Sequence, residues 1–279
     1  MQTIYAVMDG LLPFECFRFS FMKNALLAML LLTPLLSLLG TMAVNRSMAF
    51  FSDALGHSAL AGVGLGMLLG ISNELVSLLI FGILWALLIA RINHSGSASA
   101  DTIISVFSST GIALGLLILS SGGSFSKYTS LLTGDVLSIT QNDLLYLLIA
   151  LVLGVCAWIL LYNRLLLTAV SPQLAASRGI NAKWVEYAFV CLVAVAVMLA
   201  IRWVGTLLIN ALLILPAAAA RNISRNARHH ALISVLIGLV CGIAGLVFAY
   251  QMNTGVGAAV VVCAAICYAV SLPLGKLVK

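Results

Sequence analysis

Two side chains that are costly to bury stand four residues apart in an otherwise apolar run, in the stretch Ser52-Asp53-Ala54-Leu55-Gly56-His57-Ser58. On a helix that spacing puts the Asp53 carboxylate and the His57 imidazole on one face, one turn apart. A carboxylate oxygen and an imidazole nitrogen so placed can hold one divalent cation between them. Two ligands do not fill the coordination shell of Zn²⁺ or Mn²⁺, so water or a symmetry mate has to complete it. The same spacing suits two other roles. One is an ion pair facing a neighbouring helix, with Gly62, Gly64, Gly66 and Gly70 behind it as packing residues; the other is a proton relay. Ionisable groups inside an apolar run are functional candidates by default, and the spacing leaves all three readings open.

Other polar positions carry weaker signals. Glu74 is a candidate entry-side ligand, and Asp101 follows Ser99 at the start of an apolar run, where a cap or first-turn charge competes with a ligand role. Asp135, in Thr133-Gly134-Asp135, is expected in a turn or docking surface, and His94, His229 and His230 on solvated faces beside basic neighbours. None of Cys16, Cys156, Cys191, Cys241, Cys263 and Cys267 forms a C-x-x-C, so neither a disulfide framework nor a zinc knuckle is indicated. Cys263 and Cys267 share a helix face, as packing residues or as a soft-metal pair. Pro216, within an apolar run, frees a backbone carbonyl and is either a gate or an ordinary kink.

A polar break reads Ser171-Pro172-Gln173-Leu174-Ala175-Ala176-Ser177-Arg178-Gly179-Ile180. Ser-Pro opens a helix and Gly closes it, which predicts roughly two turns: a docking knob for a partner, or a plain surface helix. No G-x-x-x-x-G-K-[ST] is present, so the chain has no P-loop for a nucleotide. Gly62-x-Gly64-x-Gly66 lies inside an apolar run and follows no strand. Neither H-E-x-x-H nor G-x-S-x-G occurs, which removes the sequence support for an intramembrane protease or lipase.

The elements that position these residues are membrane helices. Of 279 residues, 63% are hydrophobic and 8% charged, and the mean hydropathy is +1.18. A soluble domain carries about 25% charged residues, so a water-soluble enzyme, a disordered tail and a nucleic-acid binder are excluded. Apolar runs fall at 25–44, 48–70, 75–90, 102–120, 143–162, 184–201, 203–220, 231–250 and 255–275, the sixth and seventh separated only by Arg202. Runs of this length can satisfy their backbone in lipid only as helices. The expected fold is an all-α, polytopic membrane helical bundle of eight or nine transmembrane helices. Residues 1–22 are expected to form an N-terminal interfacial segment rather than a signal peptide, since a basic opening is missing and Asp9 and Glu15 interrupt it. Residues 23–279 form a single transmembrane domain.

The net charge is +6, and its placement orients the bundle. Arg46, Arg91, Arg164, Arg178, Lys183, Arg221, Arg225, Arg228, Lys276 and Lys279 gather on one side, against Arg18, Lys23, Lys127 and Arg202 on the other. The richer side faces the cytoplasm, so the N-terminus is expected outside and the C-terminus inside, which requires an odd number of spans. No internal repeat is visible.

Four stretches then carry a resemblance: S-D-A-L-G-H-S-A-L-A-G at 52–62, D-T-I-I-S-V-F-S at 101–108, L-T-G-D-V-L at 132–137 and V-G-T-L-L-I-N-A-L-L-I-L-P-A-A-A-A-R at 204–221. Over residues 23–275 the chain resembles the permease subunits of ABC-type importers for zinc, manganese and iron(II). The resemblance implies that Asp53 and His57 are the intramembrane metal-site pair and that 171–180 is a cytoplasmic coupling helix seating in a cleft of an ATPase. Ser171, Pro172, Ala175, Gly179 and Ile180 are then its contact and capping positions, with Ala175 and Gly179 at its A-x-x-x-G. It further implies a permease dimer in a bacterial inner membrane, with cytoplasmic ABC ATPase subunits and an extracytoplasmic metal-binding protein. The chain itself would bind no permanent cofactor; Zn²⁺, Mn²⁺ or Fe²⁺ would be cargo. The rival expectation is a secondary, proton-coupled carrier in which Asp53 and His57 shuttle protons and no ATPase is needed.

Overall fold

The computed structural model describes residues 19–96, 98–121, 128 and 134–278. Every regular element among them is helical. They are α1 (Ser20–Asn45), α2 (Phe51–Leu68), α3 (Glu74–Asn93), α4 (Ala100–Ser121), α5 (Gln141–Val170), α6 (Pro172–Ser177), α7 (Ala182–Ile223), α8 (Ala227–Met252) and α9 (Val256–Val278), with a 3₁₀ turn at Val136–Ser138. The N-terminal segment 1–18 and most of the loop 122–133, including Lys127 and Thr133, lie outside the described residues. α1 begins at Ser20, two residues before the expected end of the N-terminal segment, and Lys23 within the helix is buried.

Among the described residues, seven helices are long and apolar enough to cross a membrane, fewer than the eight or nine runs in the sequence. Two causes account for the difference. α2 is not among the seven, because Asp53, His57, its serines and its glycines dilute its apolarity. The sixth and seventh runs are joined as α7, which breaks not at Arg202 but at Gly205, where φ is 73° and ψ 167°.

That break reverses the chain. Near its start, Glu186 lies 3.5 Å from Arg46 at the end of α1. Near its end, Arg221 donates to the Val44 carbonyl at 3.2 Å. A straight helix would hold Glu186 and Arg221 about 50 Å apart, yet both meet one corner of α1. The turnaround is pinned from outside: the Asp135 N–H donates to the Trp203 carbonyl at 3.2 Å, and Gly134, at φ +69°, presses so close to Val204 that a Cβ would overlap its carbonyl.

α7 forms the centre of the bundle and packs on α1, α2, α3, α5, α8 and α9. Small residues set the close approaches, as expected where no hydrophobic force drives helices together in lipid. Gly111 and Gly115 of α4 lay its backbone against Ser58 and Leu60 of α2, and Gly40 of α1 leaves room only for the Leu213 carbonyl of α7. Pro216 in α7 cannot donate to the Leu212 carbonyl; the Ser37 hydroxyl of α1 does so instead, at 3.3 Å.

Candidate functional site

The α1–α2 corner sets the site. Arg46, Ser47 (φ 57°) and Met48 turn the chain through backbone hydrogen bonds to Met42, Val44 and Ala43, and α2 starts at Phe51 with no side-chain cap. Asp53 falls in its first turn, where the helix dipole favours a carboxylate. One turn on, His57 Nε2 lies 3.2 Å from Asp53 Oδ1, and the two side chains stay 30% and 39% exposed, respectively. The i, i+4 geometry expected from the sequence is present.

A third residue completes the arrangement, and sequence reasoning missed it. Asn210 of α7 donates from Nδ2 to Asp53 Oδ1 at 2.7 Å. Its own Oδ1 is buried and has no protein hydrogen-bond partner, which leaves a neutral oxygen donor spare beside the pair. The only signal was that Asn210 is the one polar residue in Leu207–Leu215. Asp53 and Asn210 line an open groove of about 400 Å³ with Phe50, Leu207, Ile214 and Val261. The Asp53 and Asn210 side of the site therefore opens to this groove, and His57 is not part of its lining. Among the described residues no third His, Cys, Asp or Glu joins the pair.

Glu74 and Asp101 are not brought to it. Glu74 sits in the first turn of α3, beyond the far end of α2, and Asp101 in the first turn of α4, where it is exposed. Cys263 and Cys267 of α9 lie near Cys241 of α8.

Of the histidines expected on solvated faces, His94 is exposed while His230 is not. His94 Nε2 lies 3.5 Å from Glu186 Oε2, and its ring meets Tyr187 edge-on at 5.6 Å. His230 is 4% exposed, with Nε2 2.9 Å from the Ala217 carbonyl oxygen. His229, by contrast, is exposed, in the first turn of α8. Glu186 also holds Arg46, and Arg46 donates to Thr168 Oγ1 at 3.2 Å. Burial pulls the Arg46 guanidinium below its ordinary range, and Glu186 pushes it back. This polar cluster ties the corner before α2 to the end of α5 and the start of α7, the two elements that flank the 171–180 segment.

That segment is the short capped helix the sequence predicts. Ser171 Oγ accepts from the Leu174 N–H at 3.2 Å, Pro172 opens the first turn, and Gly179 closes it at φ +73°. The Ile180 N–H returns to the Ala175 carbonyl at 2.9 Å. Ala175 is buried, whereas Leu174 points outward and is 47% exposed.

Comparison with known proteins places this geometry. The pattern of the ABC 3 transport family matches residues 18–275. The high-affinity zinc uptake system membrane protein ZnuB of Haemophilus influenzae is 31% identical over 255 residues, covering 91% of this chain and 97% of that protein. The manganese import system permease protein ScaB of Streptococcus parasanguinis is 31% identical over 257 residues, covering 91% of this chain and 90% of its own length. Among solved structures, PsaBC from Streptococcus pneumoniae in complex with Fab superposes with a TM-score of 0.80 at 26% identity, over 97% of this chain and 95% of that one.

Proposed function

The chain belongs to the ABC 3 transport family, and from that premise we propose that it is the membrane-spanning permease subunit of an ATP-driven importer of zinc or manganese. Its relatives are permeases of zinc and manganese uptake systems, and ATP hydrolysis is the work of a partner subunit. One observation carries the metal reading. Asp53 and His57 stand 3.2 Å apart, with Asn210 donating to Asp53, and Asp53 and Asn210 line an open groove.

The chemistry follows from the donor set. A carboxylate oxygen, an imidazole nitrogen and a neutral amide oxygen suit Zn²⁺, Mn²⁺ and Fe²⁺ alike. So few ligands hold an ion loosely, and a transport site must release what it binds. Asn210 fixes the Asp53 carboxylate, as an outer partner does at a metal-ligating group, and its spare Oδ1 is within one side-chain adjustment of the cargo. The open side of the groove, with Phe50 exposed on its rim, suits a second copy of the chain, whose pair would face this one.

In this reading α7 crosses the membrane twice and α2 once, giving nine crossings. The start of α1 is then outside, and the Arg-rich end of the bundle is in the cytoplasm. The 171–180 segment sits at that end and presents Leu174 to the ATPase. ATP-driven movement there reaches α2 through Arg46 and Glu186, and Pro216 gives α7 a bend held by Ser37 rather than by its own backbone. An external metal-binding protein hands over the ion at the opposite face. Neither the relatives nor the site's surroundings favour a proton-coupled carrier.

The test is elemental analysis of cells expressing the chain with its ATPase and binding protein in metal-limited medium, compared with His57→Ala at equal membrane level. Accumulation of zinc or manganese that the substitution removes is the expected result. Equal metal content in both overturns the assignment of the site, and no accumulation in either overturns the import function.

A further inference from the structure

Two residues outside the donor set govern how near Asn210 comes to Asp53. Gly56 of α2 faces Thr206 of α7, and both are buried. A Cβ on Gly56 would stand 2.9 Å from Thr206 Cγ2 and 3.2 Å from Thr206 Cβ. Three residues back along α2 is Asp53, and four residues on along α7 is Asn210. The 2.7 Å hydrogen bond between those two is therefore the next rung of one antiparallel seam, about 6 Å away along α7.

Thr206 has little freedom to yield. It is 6% exposed, and its branched Cβ restricts the side chain in a helix. Gly56 has no positive φ, so what it contributes is missing volume rather than an unusual backbone. Carbon atoms rest at about 3.5–4.0 Å, so a methyl at position 56 would part the two helices by about 0.6–1.1 Å. Carried to the next rung, that parting stretches 2.7 Å to roughly 3.3–3.8 Å, beyond an N–H···O hydrogen bond.

We infer, on the reading of Asp53 and His57 as the metal pair, that the Gly56–Thr206 contact is the spacer that keeps Asn210 at the site and thereby sets the balance between Mn²⁺ and Zn²⁺. With the contact closed, Asn210 holds the carboxylate, and its buried Oδ1, without a protein partner, adds an oxygen donor. With the contact wedged open, a carboxylate and an imidazole remain. Oxygen donors suit Mn²⁺, whereas imidazole suits Zn²⁺, the ion that binds a given site more tightly. Withdrawing Asn210 therefore costs Mn²⁺ more than Zn²⁺. Gly56 and Thr206 are positioning residues, not ligands.

Exchanges across the contact test it. Equilibrium binding of radioactive Mn²⁺ and Zn²⁺ is measured on the purified permease–ATPase complex, and binding that His57→Ala removes is counted as the site's own. Gly56→Ala is expected to raise the Kd for Mn²⁺ about tenfold, the effect of losing an outer partner of a metal ligand, and that for Zn²⁺ by a smaller factor. Gly56→Ala with Thr206→Ser takes away the obstructing methyl and should restore both values. Gly56→Ala with Thr206→Val keeps that methyl and should not. Should Gly56→Ala alone fail to assemble, the two double variants carry the comparison: the serine one is expected to assemble with the wild-type Mn²⁺ to Zn²⁺ ratio, and the valine one is not. An unchanged ratio in Gly56→Ala overturns the proposal, as does a serine double variant that neither assembles nor binds better than the valine one. If His57→Ala removes no binding, the metal-site reading falls and the spacer with it. Binding that His57→Ala abolishes and Gly56→Ala leaves untouched overturns the spacer alone.

Discussion

Replacing Asn210 with Leu isolates the part of the site that holds the carboxylate rather than the ion. The side chain is half-buried beside Leu207 and Ile214, so leucine of similar volume fits without a cavity. What disappears is the 2.7 Å hydrogen bond from Nδ2 to Asp53 Oδ1, together with the spare Oδ1. A hydrogen bond to a charged group contributes about 1.5–3 kcal/mol, which at 1.4 kcal/mol per decade is a loss of about 10- to 100-fold in transport efficiency. Outer partners of metal ligands show the same range. The assay is initial uptake of radioactive zinc and manganese over a concentration series, at equal membrane level and with the ATPase and binding protein present. Asn210→Leu should lower uptake at limiting metal by that factor. Asn210→Asp supplies a second carboxylate, so half-saturation should fall and the maximal rate fall with it, because the ion is held too firmly. Uptake by Asn210→Leu within twofold of wild type would refute the reasoning and return Asp53 and His57 to an unassisted pair.

Three further outcomes follow from other elements. Glu186→Gln leaves Arg46 buried without its carboxylate, at a cost of about 3 kcal/mol for a broken buried pair; a clear drop in the thermal midpoint checks it, and an unchanged midpoint would mean that water already serves the cluster. Gly179→Val forces a β-branched residue to φ +73°, at about 1–3 kcal/mol of local strain, and should unseat the 171–180 helix. ATP hydrolysis by the complex is expected to persist while metal uptake falls at least tenfold, and normal uptake would rule out a coupling role. Pro216→Ala restores an N–H to compete with Ser37 for the Leu212 carbonyl, so the thermal midpoint should rise as the uptake rate falls; a rise without slower transport would make the proline an ordinary kink.

How far the sequence could be read depended on whether the deciding force was local. The Asp53–His57 pair was legible because two ionisable groups in an apolar run are conspicuous, and helical periodicity alone puts them on one face. The helix over 102–120 was legible for the same reason and is observed as Ala100–Ser121. The run at 143–162 was cut short at Asn163, since counting apolar residues ends where polarity begins. Backbone hydrogen bonding does not, and α5 continues through Arg164 to Val170. His230 was misjudged because basic neighbours in sequence do not report which helix will cover a side chain.

The turn of α7 was the decisive feature that composition could not show. Arg202 is the polar interruption, but the chain reverses at Gly205, a positive-φ position wedged against a loop residue, Gly134, some seventy positions earlier. That reversal brings Asn210 back down beside Asp53, 157 residues away in sequence. Without it, the two ends of α7 could not both reach the α1–α2 corner that begins the helix of Asp53 and His57. A glycine break at the far end of the bundle thus determines whether the carboxylate is held, which is why substitutions around Gly205 should weaken metal handling without touching a ligand.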